Sequence, residues 1–189
     1  MKKVAVMLAE GFEEIEALTV VDVLRRAGIK CDMVSIGKET VKGAHNIEVK
    51  ADLLLDDEIE TYDMIVCPGG LPGAEYLSKN ERLLNVLRKF DKMNDKYIAA
   101  ICAAPAMVLT EAGIEKDKYI TSYPGKDFEE LLKDANYAEE LVVQNGNLIT
   151  SRGPATALLF AYKIVEVLGG DAEGLKEGML WNLLEKEDE

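Results

Sequence analysis

A cysteine stands where an apolar run gives way to an alanine-rich segment that contains a proline. Residues 97–107 read YIAAICAAPAM, with Cys102 three positions before Pro105. Proline is favoured in the first turn of a helix, where its missing N–H is not needed. Cys102 is therefore predicted to lie at a strand-to-helix junction, where free amides and the helix dipole favour a thiolate nucleophile. A small buried hydrophobic residue is the alternative, and it is the better interpretation of Cys31 and Cys67, which lie in apolar strand patterns.

The first predicted helix carries an acidic residue on its apolar side. At about 100° per residue, Glu16 lines up with Val20 and Val23, Glu13 falls inside the same arc, and Glu14 lies at its edge. Acidic residues in a first helical turn favour the helix dipole, which accounts for Glu13 and Glu14. The helix dipole alone does not account for Glu16, because an acid that faces the core must be protonated, paired or part of a site.

Two glycine-containing loops and a single histidine complete the set of candidates. The segment PGGLPG contains Gly69 and Gly70 and matches neither a dinucleotide fingerprint nor a phosphate loop. It is either a tight turn or a pair of amides facing a developing oxyanion. In the segment SRGP, Arg152 either binds an anion or forms a structural ion pair, which is the more common role. His45 has no partner that the sequence identifies, and a surface loop position is favoured.

Alternating strand and helix patterns surround these residues. Strands are predicted at residues 4–8, 30–36, 64–67 and 97–101, helices at 13–27, within 75–92, and at 104–112, 155–168 and 173–184, and hairpin-like segments at 42–55 and 140–151. This order predicts an α/β fold with a mostly parallel sheet between helices, in a single domain spanning residues 1–189. Ligands bind beyond the carboxyl ends of such strands, where the acidic, Pro-Gly-Gly, cysteine and Ser-Arg-Gly-Pro segments all fall.

The composition argues against several classes of partner. The formal net charge of −13 disfavours nucleic acid and anionic membranes as partners. The apolar runs are too short to span a bilayer, and no signal-peptide pattern is present. Three irregularly spaced cysteines predict neither disulfides nor a zinc site, so we expect a cytoplasmic protein without a metal or cofactor.

These motifs together resemble the ThiJ/PfpI superfamily, in the branch of the Parkinson-disease protein DJ-one and its bacterial relatives. The resemblance runs nearly end to end and rests on AEGFEEIEA, DVLRRAGIK, CPGGLPGAEYL, AAICAAPAM and TSRGPATALLFA. It implies a flavodoxin-like three-layer α/β/α sandwich and a homodimer. It also implies a strained nucleophile elbow at Cys102, a hydrogen bond from Glu16 to the sulfur, and nearby amides of Gly69, Gly70 and Ala103.

The chain departs from this family pattern at two positions. Many relatives carry a histidine near the cysteine, whereas ITSYPGKD places Tyr123 there. A cysteine–histidine protease would then lack its general base, so protease activity is the least favoured reading. His45 stands approximately where a relative has an arginine at the pocket edge, which predicts weaker anion binding there at neutral pH.

The resemblance implies a cysteine-dependent stress-response protein with glyoxalase-like or deglycase-like activity on methylglyoxal-type dicarbonyls or their adducts. Cys102 would attack the aldehyde and Glu16 would move protons. Candidate substrate or structural contacts are Glu13, Tyr123, Arg152 and His45. The alternative is a redox sensor or chaperone that acts without catalysis, through oxidation of Cys102. Because apolar neighbours favour a neutral Glu16 that donates to the sulfur, we expect a lowered Cys102 pKa and coupled titration of the pair.

Overall fold

The computed structural model describes residues 2–187, which form one seven-stranded sheet and two small two-stranded sheets. The large sheet has the order β10-β11-β7-β6-β1-β2-β5, and every neighbouring pair is parallel except β10 with β11. Its strands are β1 (Lys3–Leu8), β2 (Lys30–Ser35), β5 (Leu53–Leu54), β6 (Met64–Cys67), β7 (Tyr97–Ile101), β10 (Val142–Asn145) and β11 (Leu148–Ser151). The predicted mostly parallel α/β fold is therefore confirmed.

The two small sheets lie in segments between the main strands. Antiparallel β3 and β4 follow β2, and parallel β8 and β9 follow β7. Their bounds are β3 (Thr40–Lys42), β4 (Glu48–Lys50), β8 (Tyr119–Ile120) and β9 (Asn136–Tyr137). The hairpin-like excursion predicted at 42–55 thus starts slightly earlier and ends in the edge strand β5. The hairpin at 140–151 turns as predicted at Asn145 and Gly146, and Gly146 adopts φ +62°.

Helices cover both faces of the large sheet. Their bounds are α1 (Glu14–Arg26), α2 (Gly73–Ser78), α3 (Glu81–Asp91), α4 (Thr110–Ala112), α5 (Lys126–Leu131), α6 (Ala157–Val167), α7 (Ala172–Gly178) and α8 (Trp181–Glu187). Strand β1 is a continuous apolar run because both of its faces are buried. Ala5 and Met7 belong to the hydrophobic cluster that contains α3, whereas Val4, Val6 and Leu8 belong to the cluster that contains α1 and α6.

Two predicted helices are each divided in the structure. The helix predicted within 75–92 is α2 followed by α3, because the Asn80 side chain accepts a hydrogen bond from Leu83 N at 3.0 Å and caps a new helix. The helix predicted at 173–184 is α7 followed by α8, and Leu180 between them adopts a left-handed φ of +63°. Both helices are interrupted locally, and the 3.6-residue period of apolar residues does not predict such interruptions.

The helix predicted at 104–112 is present, but its first turn is a π-helix rather than an α-helix. Residues Pro105–Leu109 form a π-helical turn that continues into α4, and Gly113 ends the helix with φ +69°. Pro105 lies in the first turn, as the sequence predicts. Helix α5 was not predicted, since its segment lacks a clear apolar period. In the part of the chain that the structure describes, no helix is long and apolar enough to cross a membrane.

Candidate active site

Cys102 lies immediately after β7 in a strained backbone conformation. Its φ is +65°, in the left-handed region that a residue with a Cβ rarely adopts. Neighbouring main chain holds it there, because Cys102 N donates to Ser151 O at 3.0 Å and Cys102 O accepts from Tyr123 N at 2.8 Å. The thiol is half-buried, whereas Cys31 and Cys67 are buried. The strand-to-helix junction thus presents this thiol on a sharp turn.

Glu16 lies beside this cysteine, in the first turn of α1. Its side chain is fully buried, Oε2 accepts a hydrogen bond from Gly69 N at 2.8 Å, and Oε1 has no hydrogen-bond partner among the described residues. A Cβ on Gly69 would lie 2.7 Å from Cys102 Cβ, 2.8 Å from Glu16 Oε2 and 3.0 Å from Cys102 Sγ. The carboxyl group, the thiol and the glycine backbone therefore meet at one point, and no side chain fits between them.

The loops after β1 and β6 pack back to back and hold this arrangement. Glu13 caps α1 by accepting a hydrogen bond from Glu16 N at 2.9 Å, and Glu13 N donates to Gly69 O at 3.0 Å. Gly70 adopts φ +85°, and a Cβ there would collide with Glu13 N and Gly11 O. Glycine is therefore required at position 70 both by its conformation and by the close approach of the two loops.

Burial dominates the electrostatics of the pair. Loss of water raises the pKa of Glu16 to about 7, opposed by hydrogen bonds with Cys102 and Gly69 and assisted by the nearby Glu13 charge. Burial, followed by the Glu16 charge and the hydrogen bond to it, raises the pKa of the Cys102 thiol, while the amides of Ala103 and Gly70 lower it. The expected lowered Cys102 pKa is therefore wrong: beside an ionised Glu16 the thiol keeps its proton.

This arrangement changes how a thiolate would form. Because the two groups interact directly, their protons belong to the pair, and removal of the thiol proton is favoured when Glu16 accepts it. A carboxylate with a pKa near neutrality is well matched to act as a general base. Burial raises the pKa of Cys31 and of Cys67 to about 12, and neither is hydrogen-bonded to a carboxylate among the described residues.

Some of the residues predicted to surround Cys102 lie next to its sulfur, whereas others only contact neighbouring parts of the fold. The Gly69 amide is bound to Glu16, so the amides of Gly70 and Ala103 are the ones near the sulfur. The Tyr123 main chain contacts Cys102, and its partly exposed ring packs edge-to-face on Phe128 at 6.0 Å.

Arg152 makes structural contacts with the segment before β10. It donates to Glu139 O at 2.7 Å and to the Tyr137 hydroxyl at 3.3 Å. These acceptors are a carbonyl and a hydroxyl, so the structural ion pair favoured by the sequence is not what Arg152 forms in the described chain. The guanidinium joins the loop before β10 to the loop after β11.

His45 has a partner that the sequence did not reveal. Its Nδ1 lies 2.8 Å from Glu14 Oε2, and its backbone N donates to Glu14 Oε1 at 2.7 Å. The imidazole is exposed, as predicted for a loop position, whereas Glu14 is buried. The hydrogen bond with Glu14 raises the pKa of His45. The position of Glu14 at the edge of the apolar arc was the signal that could have identified it as a buried acid.

A cleft in this part of the fold lies away from Cys102. It has a volume of about 320 Å³ and opens between the carboxyl ends of β1 and β2 and helix α2, with Ile36, Val41 and Tyr76 among its lining residues. Cys102 and Glu16 do not line it. The chemistry of the elbow, rather than the size of a cavity, therefore identifies the candidate active site.

Comparisons with known proteins show what the chain is similar to. The model of the DJ-1/PfpI family matches residues 2–167. The chain is 42% identical to "Protein DJ-1 homolog B" of Arabidopsis thaliana over 92% of its length, but spans only 40% of that protein. It is 34% identical to "Glutathione-independent glyoxalase DJ-1" of Schizosaccharomyces pombe, covering 88% of this chain and 91% of that one. The crystal structure of Drosophila melanogaster DJ-1beta matches with a TM-score of 0.87 and 39% identity, over 95% and 98% of the two chains.

Proposed function

This chain belongs to the DJ-1/PfpI family and has its flavodoxin-like fold, and we propose that it is a cysteine-dependent glyoxalase or deglycase. Its substrates would be methylglyoxal-type dicarbonyls or their adducts, and its role a response to carbonyl stress. The observation that carries the proposal is the buried Glu16 carboxyl group, with a pKa of about 7, beside Cys102 on its strained turn. A fission-yeast relative named as a glutathione-independent glyoxalase supports it, because Cys102 offers a thiol in place of the one that glutathione would supply.

The first step is addition of Cys102 to the aldehyde carbon of the dicarbonyl. The sulfur forms a bond to that carbon, the thiol proton passes to Glu16, and Glu16 passes it on to the aldehyde oxygen to give a hemithioacetal. The amides of Gly70 and Ala103 stabilise the negative charge while it lies on sulfur and, as it moves, on oxygen. This step needs no cofactor.

The second step moves hydrogen from the former aldehyde carbon to the neighbouring ketone carbon. Glu16 removes the proton from the hemithioacetal carbon while the ketone oxygen takes up a proton from water, which gives an enediol. Glu16 then returns its proton to the former ketone carbon while the hydroxyl on the sulfur-bearing carbon releases its proton to water, which gives a lactoyl thioester. Water then hydrolyses the thioester to lactate and regenerates the thiol. Glu16 must take up and release protons in both steps, and its pKa near neutrality allows both.

Purified protein without added glutathione tests the proposal. Methylglyoxal consumption and lactate formation are followed by proton NMR in wild type, Cys102→Ser and Glu16→Gln. We expect wild type to form lactate, Cys102→Ser to lose the activity, and Glu16→Gln to lose on the order of 100-fold in rate. Cys31→Ala, which changes a buried cysteine outside the site, should retain it. Lactate formation that survives in Cys102→Ser would overturn the proposal.

A second candidate function is redox sensing through Cys102. Glu16 Oε1 is buried without a hydrogen-bond partner among the described residues, so a protonated Glu16 is positioned to donate to an oxidised sulfur. Two peroxide molecules would each transfer one oxygen to the sulfur and leave as water, giving a sulfinic acid. Peptide mass spectrometry after mild peroxide treatment should find two added oxygens on Cys102 in wild type and Glu16→Gln, and fewer in Glu16→Ala. Equal oxidation in all three would contradict this role.

We also propose that the protein is a cytoplasmic homodimer, as the family resemblance implies. The net charge of −13 supports partners other than nucleic acid or anionic membrane. Sedimentation velocity of the wild-type protein should give the mass of two chains across micromolar concentrations. A mass of one chain over that range would exclude the dimer without affecting the proposed chemistry.

A further inference from the structure

Three metal-ligating side chains meet beside the candidate active site, at the start of α1. One ligand atom each of Glu13, Glu14 and His45 lies within 4.8 Å of the others. They come from two separate segments, because Glu13 and Glu14 open α1 and His45 belongs to the loop between β3 and β4. No metal site was expected from the sequence, because His45 lies far along the chain from Glu13 and Glu14.

Each carboxylate uses one oxygen for a backbone amide and turns the other towards the imidazole. Glu13 Oε2 accepts from Glu16 N at 2.9 Å, and Glu13 Oε1 lies 3.7 Å from His45 Nδ1. Glu14 Oε1 accepts from His45 N at 2.7 Å, and Glu14 Oε2 lies 2.8 Å from His45 Nδ1. The second oxygen of each carboxylate and the ring nitrogen are thus already oriented towards one another.

The two nitrogen-to-oxygen distances suit a tetrahedral ion. Zinc binds imidazole nitrogen and carboxylate oxygen at about 2.0–2.1 Å, so adjacent ligands around it lie about 3.3 Å apart. Nitrogen-to-oxygen separations of 2.8 and 3.7 Å lie on either side of that value. Small movements of the side chains, one outward and one inward, would accommodate the ion.

Burial and charge favour a divalent cation over the histidine alone. Glu13 and Glu14 are each more than nine-tenths buried, at 7% and 4% exposure. A protonated imidazole supplies one positive charge to two buried carboxylates, whereas a divalent ion supplies two. His45 is exposed at 69% of its side chain, so an ion has access from solvent and water can occupy a fourth ligand position.

We propose that Glu13, Glu14 and His45 bind a zinc-type divalent transition-metal ion through two carboxylate oxygens and the imidazole Nδ1. The donor set of one nitrogen and two oxygens matches the borderline ions of this class. Where the imidazole is protonated, binding releases its Nδ1 proton to solvent and leaves the other ring proton on Nε2. The site is separate from the thiol of Cys102, which supplies none of its ligands.

The single histidine of the chain makes a direct test possible. Zinc chloride is titrated into protein without a histidine tag and with histidine labelled by nitrogen-15, while affinity is measured by competition with a chromogenic chelator. We expect saturation at one ion per chain, with a shift of the Nδ1 signal and a protonated Nε2. His45→Ala and Glu14→Gln should weaken binding by at least about tenfold, the loss that even outer-shell changes cause.

Two further variants separate this site from other zinc binding. Cys102→Ser should bind with unchanged affinity, and so should Glu111→Gln, which alters an exposed carboxylate elsewhere. Circular dichroism and thermal melting verify that His45→Ala and Glu14→Gln are folded. The proposal is overturned by the absence of saturable binding up to millimolar zinc, by an unshifted imidazole signal at saturation, or by binding that is lost in Cys102→Ser and kept in His45→Ala. None of these results depends on lactate formation.

Discussion

At the scale of single residues, the position of Glu16 is unfavourable for a charged side chain but favourable for proton transfer. Its carboxyl group is fully buried, and its Oε2 is held by Gly69 N. Burial makes ionisation costly, which brings the pKa to about 7. The same burial that suits Glu16 to exchange a proton with Cys102 therefore lowers the stability of the fold whenever Glu16 is charged.

Glu16→Gln should stabilise the protein at neutral pH and above. The folded pKa of Glu16 is about 7 and its ordinary value is 4.5, so between these values the native state binds the extra proton and loses stability as pH rises. A glutamine has no charge and avoids this loss. Urea unfolding at pH 4.5 and pH 8 should show a gain that grows to about 3 kcal/mol at pH 8.

Glu111→Gln provides the control, since Glu111 is exposed. Its unfolding free energy should follow that of wild type at both pH values. A Glu16→Gln variant that is less stable than wild type at pH 8 would mean that the buried carboxylate is stabilised by its contacts more than it is destabilised by burial.

At the scale of elements, the site depends on how closely three strand-end loops approach one another. The loops after β1, β6 and β7 bring Glu16, Gly69 and Cys102 to one point. Parallel strands end at the same edge of the sheet, so these loops are neighbours in space although they are far apart in sequence. Glycine at position 69 permits contact between the backbone and both reactive groups.

Gly69→Ala should impair the chemistry more than the fold. The added Cβ would lie 2.7 Å from Cys102 Cβ, and that atom is fixed by the strained backbone. The thiol and the carboxyl group must then move apart. We expect a loss of stability of about 1–3 kcal/mol, and a fall in the rate of methylglyoxal conversion on the order of 100-fold.

Gly37→Ala is the matched control, because nothing lies within 4 Å of its added Cβ and its φ lies outside the left-handed region. It should leave both stability and rate near their wild-type values. A Gly69→Ala variant with a wild-type rate would show that the pair tolerates a wider separation than the geometry implies.

At the scale of the whole molecule, the excess of acidic residues sets the response to salt. Asp and Glu together number 35 against 22 Lys and Arg. Like charges at this density repel one another in the compact state, while exposed ion pairs such as Arg26 with Asp22 contribute little. Salt screens both the repulsion among the acidic residues and the attraction within the ion pairs. The repulsion should be the larger of the two.

Added salt should raise the midpoint of thermal unfolding at pH 7. Raising sodium chloride from about 10 to about 300 mM shortens the screening length severalfold, and we expect the midpoint to rise by a few degrees. Differential scanning calorimetry measures it. Glu130→Lys, at an exposed position, lowers the negative charge and should reduce the rise. A midpoint that falls with salt would mean that the ion pairs dominate.

The sequence by itself determined the features that depend on neighbours along the chain. Alternating apolar runs and helical periods specified the mostly parallel sheet, since both patterns are set by backbone geometry. Pro105 marked the junction that follows Cys102, and the helical period placed Glu16 on the buried face, where it is fully enclosed. The prediction of one domain over residues 1–189 stays a prediction, and residues 1, 188 and 189 lie outside the described range.

Only the tertiary structure decided which distant groups meet and how deeply they are buried. The contact of Glu16 with Gly69 joins residues 53 positions apart, and that of Glu14 with His45 joins residues 31 apart, so neither follows from a local period. The direction of the Cys102 pKa was wrong from sequence, because it depends on burial and on whether Glu16 holds the shared proton. Desolvation and charge act through space, and their magnitudes are set by packing rather than by residue type.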